Sequence, residues 1–216
     1  MSTTDLAGAL SPSGFIDSDS EAIRAFAARN AGPGTEREKA VRLYYAVRDA
    51  VPYDLRYFGV EREIFIASRC LAAEGTFCVP KAITLAAAAR ATGIPARIGF
   101  ADVRNHLASP RILELMGGDV FRWHAYTLLF VDGRWVKATP AFDSSFCARF
   151  DVSPLDFDGS ADSVFHPFDP SGRQHMEYVL DRGAHDEMPF DAFRAAMLEA
   201  YPRLVTAMAA ERAARG

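Results

Sequence analysis

Gly75-Thr76-Phe77-Cys78-Val79-Pro80-Lys81-Ala82, with the alanine-rich apolar run that continues to Ala91, decides how the chain folds. Gly75 to Phe77 is a short punctuated loop, and the spacing behind it predicts a helix from Val79 to about Ala91. Pro80 is compatible with that helix because it falls in the first turn, where backbone N–H groups have no partner inside the helix. Gly93-Ile94-Pro95 ends it, and the alternation of Ala96, Ile98 and Phe100 predicts a strand. Cys78 therefore stands where a loop meets a helix N-terminus. Unpaired N–H groups and the positive end of the helix dipole favour a thiolate there and lower its pKa. The same N–H groups can hold a developing oxyanion.

Downstream, two apolar, aromatic-rich strands between Phe121 and Thr139 flank Asp132-Gly133, a two-residue hairpin signal. If Val131 pairs with Arg134, one face carries His124, Tyr126, Leu128 and Phe130 together with Trp135, Lys137 and Thr139. Thr139 is then a diagonal neighbour of His124, about 7–8 Å away between backbones. His124 can accept the thiol proton and later protonate a leaving amine, provided a third group holds its other ring nitrogen. The competing readings are structural: Cys78 as a small buried hydrophobe, and His124 as a hydrogen-bonded core histidine.

Upstream, the first twenty residues are rich in Ser, Gly and Asp and read as a loose arm. Glu21 to Ala31 reads as a short helix stopped by Gly32-Pro33-Gly34. Thr35 with Glu38 three residues on has capping-box spacing, and the helix behind it places Ala40, Leu43, Tyr44, Val47 and Ala50 on one stripe. Residues 62 to 74 suggest another helix. From Cys147 to about Pro189 the chain reads as long loops packed by aromatics, followed by closing helices over 190–200 and 203–215. The reading is one α+β domain over residues 1–216, with its core at 36–143.

Half of the 216 residues are hydrophobic, enough to bury a core without disulfides or metals. Twenty-four basic against 28 acidic residues give a net charge of −4, which argues against nucleic acid or an anionic membrane as partner. No apolar run of about 18 residues and no basic-then-apolar start predict neither a membrane span nor a secretory signal. Three cysteines (Cys70, Cys78, Cys147) fit a reducing, cytoplasmic setting better than a disulfide scaffold. No phosphate loop or nucleotide fingerprint is present, and no cofactor is expected. Nothing in the sequence speaks to oligomeric state.

Taken together, residues 75–82, Arg90-Ala91-Thr92 and Gly93-Ile94-Pro95-Ala96-Arg97 resemble the cysteine block of the transglutaminase-like superfamily. His124-Ala125-Tyr126 and Asp132-Gly133-Arg134-Trp135-Val136 resemble its histidine block. Lys39 to Tyr53 resembles its leading helix. The resemblance covers roughly residues 36 to 143. It implies a papain-like architecture, in which a helix bearing the cysteine packs on an antiparallel sheet bearing the histidine, with extra C-terminal helices here. It also implies acyl transfer through a thioester, onto water or an amine. The family's aspartate normally precedes a proline after the Gly-x-Trp strand; here Thr139 stands in that position, before Pro140. A threonine hydroxyl can accept a hydrogen bond from the histidine but lacks the charge that stabilises an imidazolium. Asp143 could substitute if the chain bends back, although Phe142-Asp143-Ser144-Ser145 also reads as a turn.

The expected function is a cysteine-dependent amidase or acyltransferase acting on a protein or peptide-like amide. Cys78 serves as nucleophile, His124 as base and Thr139 as its orienting partner. The alternative is a weakened or inactive binding or scaffold module that keeps the fold. Cys70 and Cys78 lack metal-ligand spacing, and His166, His175 and His185 read as surface or structural rather than as a metal site. Tyr53 reads as packed more than as an oxyanion donor, and Arg97 as pinning a strand.

Overall fold

A computed structural model describes residues 6–165, 171–173 and 175–214. Ahead of the site run α1 (Ala7–Leu10), α2 (Glu21–Ala31), α3 (Glu36–Ala50) and α4 (Ala67–Cys70), then α5 (Cys78–Ala91). Next come β1 (Ala96–Asn105), α6 (Pro110–Met116), β2 (Val120–Val131), β3 (Arg134–Ala138) and α7 (Ser144–Phe150). β4 (Met176–His185), α8 (Phe190–Ala200) and α9 (Pro202–Ala213) complete the described chain.

α5 is the centre of the molecule. Twelve of its 14 residues are buried, so the helix is enclosed on all sides rather than laid on a surface. Its many alanines let α2, α3, α4 and the sheet approach closely. Lys81 is buried too, and its ammonium donates to the carbonyls of Arg48 and Val51 at 2.6 and 2.7 Å, satisfying the C-terminal end of α3. Burial lowers the pKa of that amine to about 8.

The capping box at Thr35 forms as expected: Thr35 N–H donates to Glu38 at 2.8 Å, and Glu38 N–H returns a bond to the Thr35 hydroxyl at 3.3 Å. The α3 stripe buries Ala40, Leu43, Tyr44 and Val47, but Ala50 is exposed. Arg48 is buried in the last turn instead, donating to Leu155 O at 3.1 Å and pairing with Asp49.

One antiparallel sheet, ordered β3-β2-β1-β4, packs against α5. Asp132 and Gly133 both have positive φ, 49° and 79°, the backbone of a two-residue hairpin turn, and Val131 pairs with Arg134 as expected. Tyr126 and Lys137 do share a face, the ammonium lying 4.7 Å from the ring centroid. Gly99 pairs with Tyr126 and lies under its ring; a Cβ there would sit 2.3 Å from a ring carbon. Arg97 pins the sheet as expected, bonding Asp186 at 2.7 Å and lying over the Trp135 ring.

Three expectations need correction. Residues 62–74 form a 3₁₀ turn at Arg62–Phe65 and the single turn α4, not one helix. Phe65 is fully buried against Phe77, Phe190 and Phe193, and that packing overrides local helix propensity. The loop expected from Cys147 to Pro189 contains the end of α7 and the whole of β4. β4 is an edge strand exposed along most of its length, so it carries no apolar alternation to read. The arm is not loose over residues 6–20: Ala9, Phe15 and Ile16 are buried, and Phe15 O accepts from Ala67 N–H. Residues 1–5 and His166 lie outside the described residues. No helix among the described residues is long and apolar enough to cross a membrane.

Candidate active site

Phe77, the residue capping α5, offers its first turn no side-chain acceptor. The backbone N–H groups of Ala125 of β2, Val79 and Cys78 itself favour negative charge on the Cys78 sulfur. Three donors around one sulfur are an anion cradle. Cys78 is half-buried by surface area, yet desolvation by the surrounding cavity dominates and pushes the thiol up to about 11 against those hydrogen bonds. The helix N-terminus alone predicts a depressed pKa; in the folded chain desolvation overcomes it.

His124 opens into the same cavity as Cys78, a space of about 50 Å³ whose walls include Tyr53, Trp123, Phe142 and Phe165. The imidazole is buried and stacks on Phe165 at 4.6 Å. Burial drives its pKa down to about 3. Among the described residues its Nε2 is buried with no hydrogen-bond partner; the Thr139 hydroxyl, just past the end of β3, is also buried and has only the Tyr178 hydroxyl to interact with. The hairpin pairing ends at Thr127 and Ala138, one residue short of Thr139, and Thr139 does not bond the imidazole. Asp143 is engaged elsewhere: it accepts from Tyr53 N–H at 2.6 Å and, as the N-cap of α7, from Ser145 and Phe146 N–H at 3.0 and 2.9 Å. Burial alone would raise its pKa, but those bonds outweigh it and hold the carboxylate below the usual range.

A β-bulge aims His124. β1 pairs Ala101 with His124 and Val103 with Phe121, so Arg122 and Trp123 together face Asp102. Trp123 takes the left-handed conformation, φ 59°, which is uncommon and costly for a bulky residue. Its N–H donates to Asp102 at 3.0 Å, and Arg182 of β4 grips that carboxylate at 2.6 and 2.7 Å. The Arg122 N–H goes to the Tyr201 hydroxyl at 2.6 Å, which in turn donates to Val120 O. Asp102, Arg182 and Tyr201 carry no local sequence signal for this job, since Trp123 is not a residue that announces a left-handed turn.

A family model for the transglutaminase-like superfamily matches residues 24–140, a span that holds Cys78, His124 and Thr139. The chain belongs to the transglutaminase-like superfamily. Among solved structures it is similar to arylamine N-acetyltransferase from Salmonella typhimurium, with 13% identity and a TM-score of 0.52 over 89% of this chain and 72% of that one. A Cytophaga hutchinsonii protein named as a candidate cysteine protease aligns at 19% identity and a TM-score of 0.48 over 65% of this chain; the match spans 43% of that protein's length. No curated protein matches the chain. The fold is the α+β, papain-like arrangement of the superfamily, a cysteine-enzyme fold with the cysteine on a central helix and the histidine on an antiparallel sheet.

Among the described residues no three His, Cys, Asp or Glu side chains gather as a cation site. Cys70 is buried, and burial raises its pKa. Phe142, Phe146 and Phe150, at spacings of four, line the approach to the site and were legible as a helical-period stripe.

The buried imidazole makes stability pH-dependent. The unfolded chain binds a proton at His124 below about pH 6.5, whereas the folded chain resists until about 3, so stability falls as pH drops through that window. The expected slope is on the order of 1.4 kcal/mol per pH unit. Urea midpoints between pH 7 and about 5, above the range where depressed carboxylates such as Asp143 begin to contribute, should fall in wild type and stay flatter in His124→Gln; equal slopes would contradict a buried neutral histidine. Asp102→Ala strands Arg182 and the Trp123 N–H and should cost about 3 kcal/mol. Urea unfolding reads this directly, and a loss below about 0.5 kcal/mol would mean the bulge stands without the pair.

Proposed function

We propose that the protein is a cysteine-dependent amidase or acyltransferase that acts on a peptide-like amide through a thioester. The observation that supports it is the shared cavity: a sulfur cradled by three N–H groups and an imidazole open to the same space. Cys78 Sγ attacks the carbonyl carbon while His124 takes the thiol proton. The Cys78 N–H holds the oxyanion. The C–N bond then breaks, and His124 returns the proton to the departing amine. Water or an acceptor amine, deprotonated by His124, attacks the thioester and releases the sulfur.

Thr139 serves as the orienting partner in this reading. His124 Nε2 is buried without a partner, and a hydrogen bond with the Thr139 hydroxyl, whose neighbour is the Tyr178 hydroxyl, would satisfy it. A hydroxyl in place of a carboxylate leaves the imidazolium unstabilised, so turnover is expected to be slow.

A space of about 50 Å³ holds no more than a water or two, so substrate entry requires Phe165 to move off the imidazole and Phe142, packed on Phe165, to give way with it. Opening admits water and removes the desolvation that keeps the thiol protonated, leaving the N–H cradle in control. A non-catalytic binding module is the second reading. The closed cavity and the missing carboxylate favour it.

p-Nitrophenyl acetate, an activated acyl donor, separates the two. Wild type should release nitrophenolate with an acetyl group on Cys78, located by peptide mass. His124→Ala should slow acylation roughly 100-fold. Release and adduct that persist in full in Cys78→Ala would sink the mechanism, and no Cys78 adduct in wild type would favour the binding module.

A further inference from the structure

Beside the cysteine cavity lies a much larger groove of about 650 Å³, which shares Tyr53, Leu55, Phe121 and Phe142 with it. Its inner end is therefore the wall of the cavity that holds Cys78. A continuous run of ring contacts connects the two. Phe150 packs on Phe146 at 4.5 Å, Phe146 on Phe142 at 4.5 Å, Phe142 on Phe165 at 4.9 Å, and Phe165 on His124 at 4.6 Å. The outer end of this ladder is uncovered, since Phe150 is 54% exposed. An apolar wall that starts at the surface and ends on the imidazole is a track for an apolar ligand.

The charge at the groove is opposite to that of the chain. Among the described residues, four arginines (56, 111, 149 and 173) line it against two carboxylates, Asp54 and Glu211, in a protein whose net charge is −4. Asp54 is bonded to Arg56, and Glu211 to Arg111. Arg149 has no carboxylate partner among the described residues. Its guanidinium lies 4.8 Å from the centroid of the Phe150 ring, at the mouth of the ladder. Arg149 is thus a guanidinium oriented by an aromatic face at the outer end of an apolar track.

We propose that this groove docks the substrate, and that the substrate is a short peptide-like amide with an aromatic or other apolar body and a free carboxylate at its far end. The apolar body lies along Phe150, Phe146 and Phe142, the carboxylate meets Arg149, and the amide carbonyl is delivered towards Cys78. This rests on the cysteine-enzyme reading above and adds a substrate class to it.

N-acetyl-diphenylalanine, as the free carboxylate and as its carboxamide, provides the probe pair. Calorimetric titration of the wild-type protein at low salt should show the carboxylate form binding about tenfold tighter. Arg149→Ala should remove that preference while leaving the carboxamide unaffected, Arg149→Lys should keep part of it, and Phe150→Ala should weaken both forms. Saturating carboxylate form should also slow iodoacetamide labelling of Cys78. Equal affinities for the two forms, no binding of either, or an intact preference in Arg149→Ala would overturn the proposal, as would binding that leaves a measurable Cys78 labelling rate unchanged. A Cys78 that iodoacetamide never labels would count against the cysteine-enzyme reading alone, because the calorimetric preference is measured without any chemistry at the sulfur.

Discussion

Helix α5 is wrapped on every side, and its first turn has no side chain to cap it. Those two facts pull the Cys78 sulfur in opposite directions. The uncapped N–H groups of Cys78 and Val79, joined by Ala125 N–H, stabilise negative charge at Sγ; the enclosure that places them there strips the water a thiolate needs. In the described state enclosure wins, and the cavity holds a neutral thiol beside a neutral imidazole. The same balance explains why so much of the molecule is committed to the tip of one helix. Phe165 closes over His124, Asp143 ties Tyr53 to α7, and Asp102 with Arg182 holds the bulge that aims the histidine.

The polar groups around the site divide by whether they are satisfied. Asp102 and Asp143 are surrounded by donors and act as structural anchors. Lys81 is spent on the carbonyls ending α3. Among the described residues His124 Nε2 is left over, and the Thr139 hydroxyl has only Tyr178 to interact with. Buried polar atoms without partners are uncommon in folded chains and concentrate where something else binds or moves. In the acyl-transfer reading these two groups complete the site, and the aromatic ladder with Arg149 at its mouth leads a ligand to it.

Much of this architecture is legible in the sequence because it is local. Pro80 in a first turn, Thr35 with Glu38, and Asp132-Gly133 each specify backbone through their own chemistry, and the helix and hairpin they predict are present. Cys78 and His124 as a pair come from order and spacing of blocks, and they do open into one cavity. What sequence reading loses is set by tertiary contact. β4 is an exposed edge strand with no alternation, and Phe65 is drawn out of a helix by three other rings. The bulge at Trp123 depends on a carboxylate twenty-one positions earlier and an arginine fifty-nine positions later, which no window of local pattern connects. The thiol's raised pKa was hidden for the same reason: a helix N-terminus is visible in sequence, and the burial of its sulfur is not.

The claim that burial alone silences the cysteine is tested most directly by the rate of iodoacetamide labelling of Cys78 against pH, in wild type and in Phe165→Ala. Removing the ring that covers His124 admits water to the sulfur without touching the N–H cradle. The account predicts an apparent thiol pKa near 11 in wild type, with a lower value and faster labelling in Phe165→Ala. A wild-type thiol that already titrates at or below the ordinary value of about 8.5, or a profile that Phe165→Ala leaves unchanged, would contradict it.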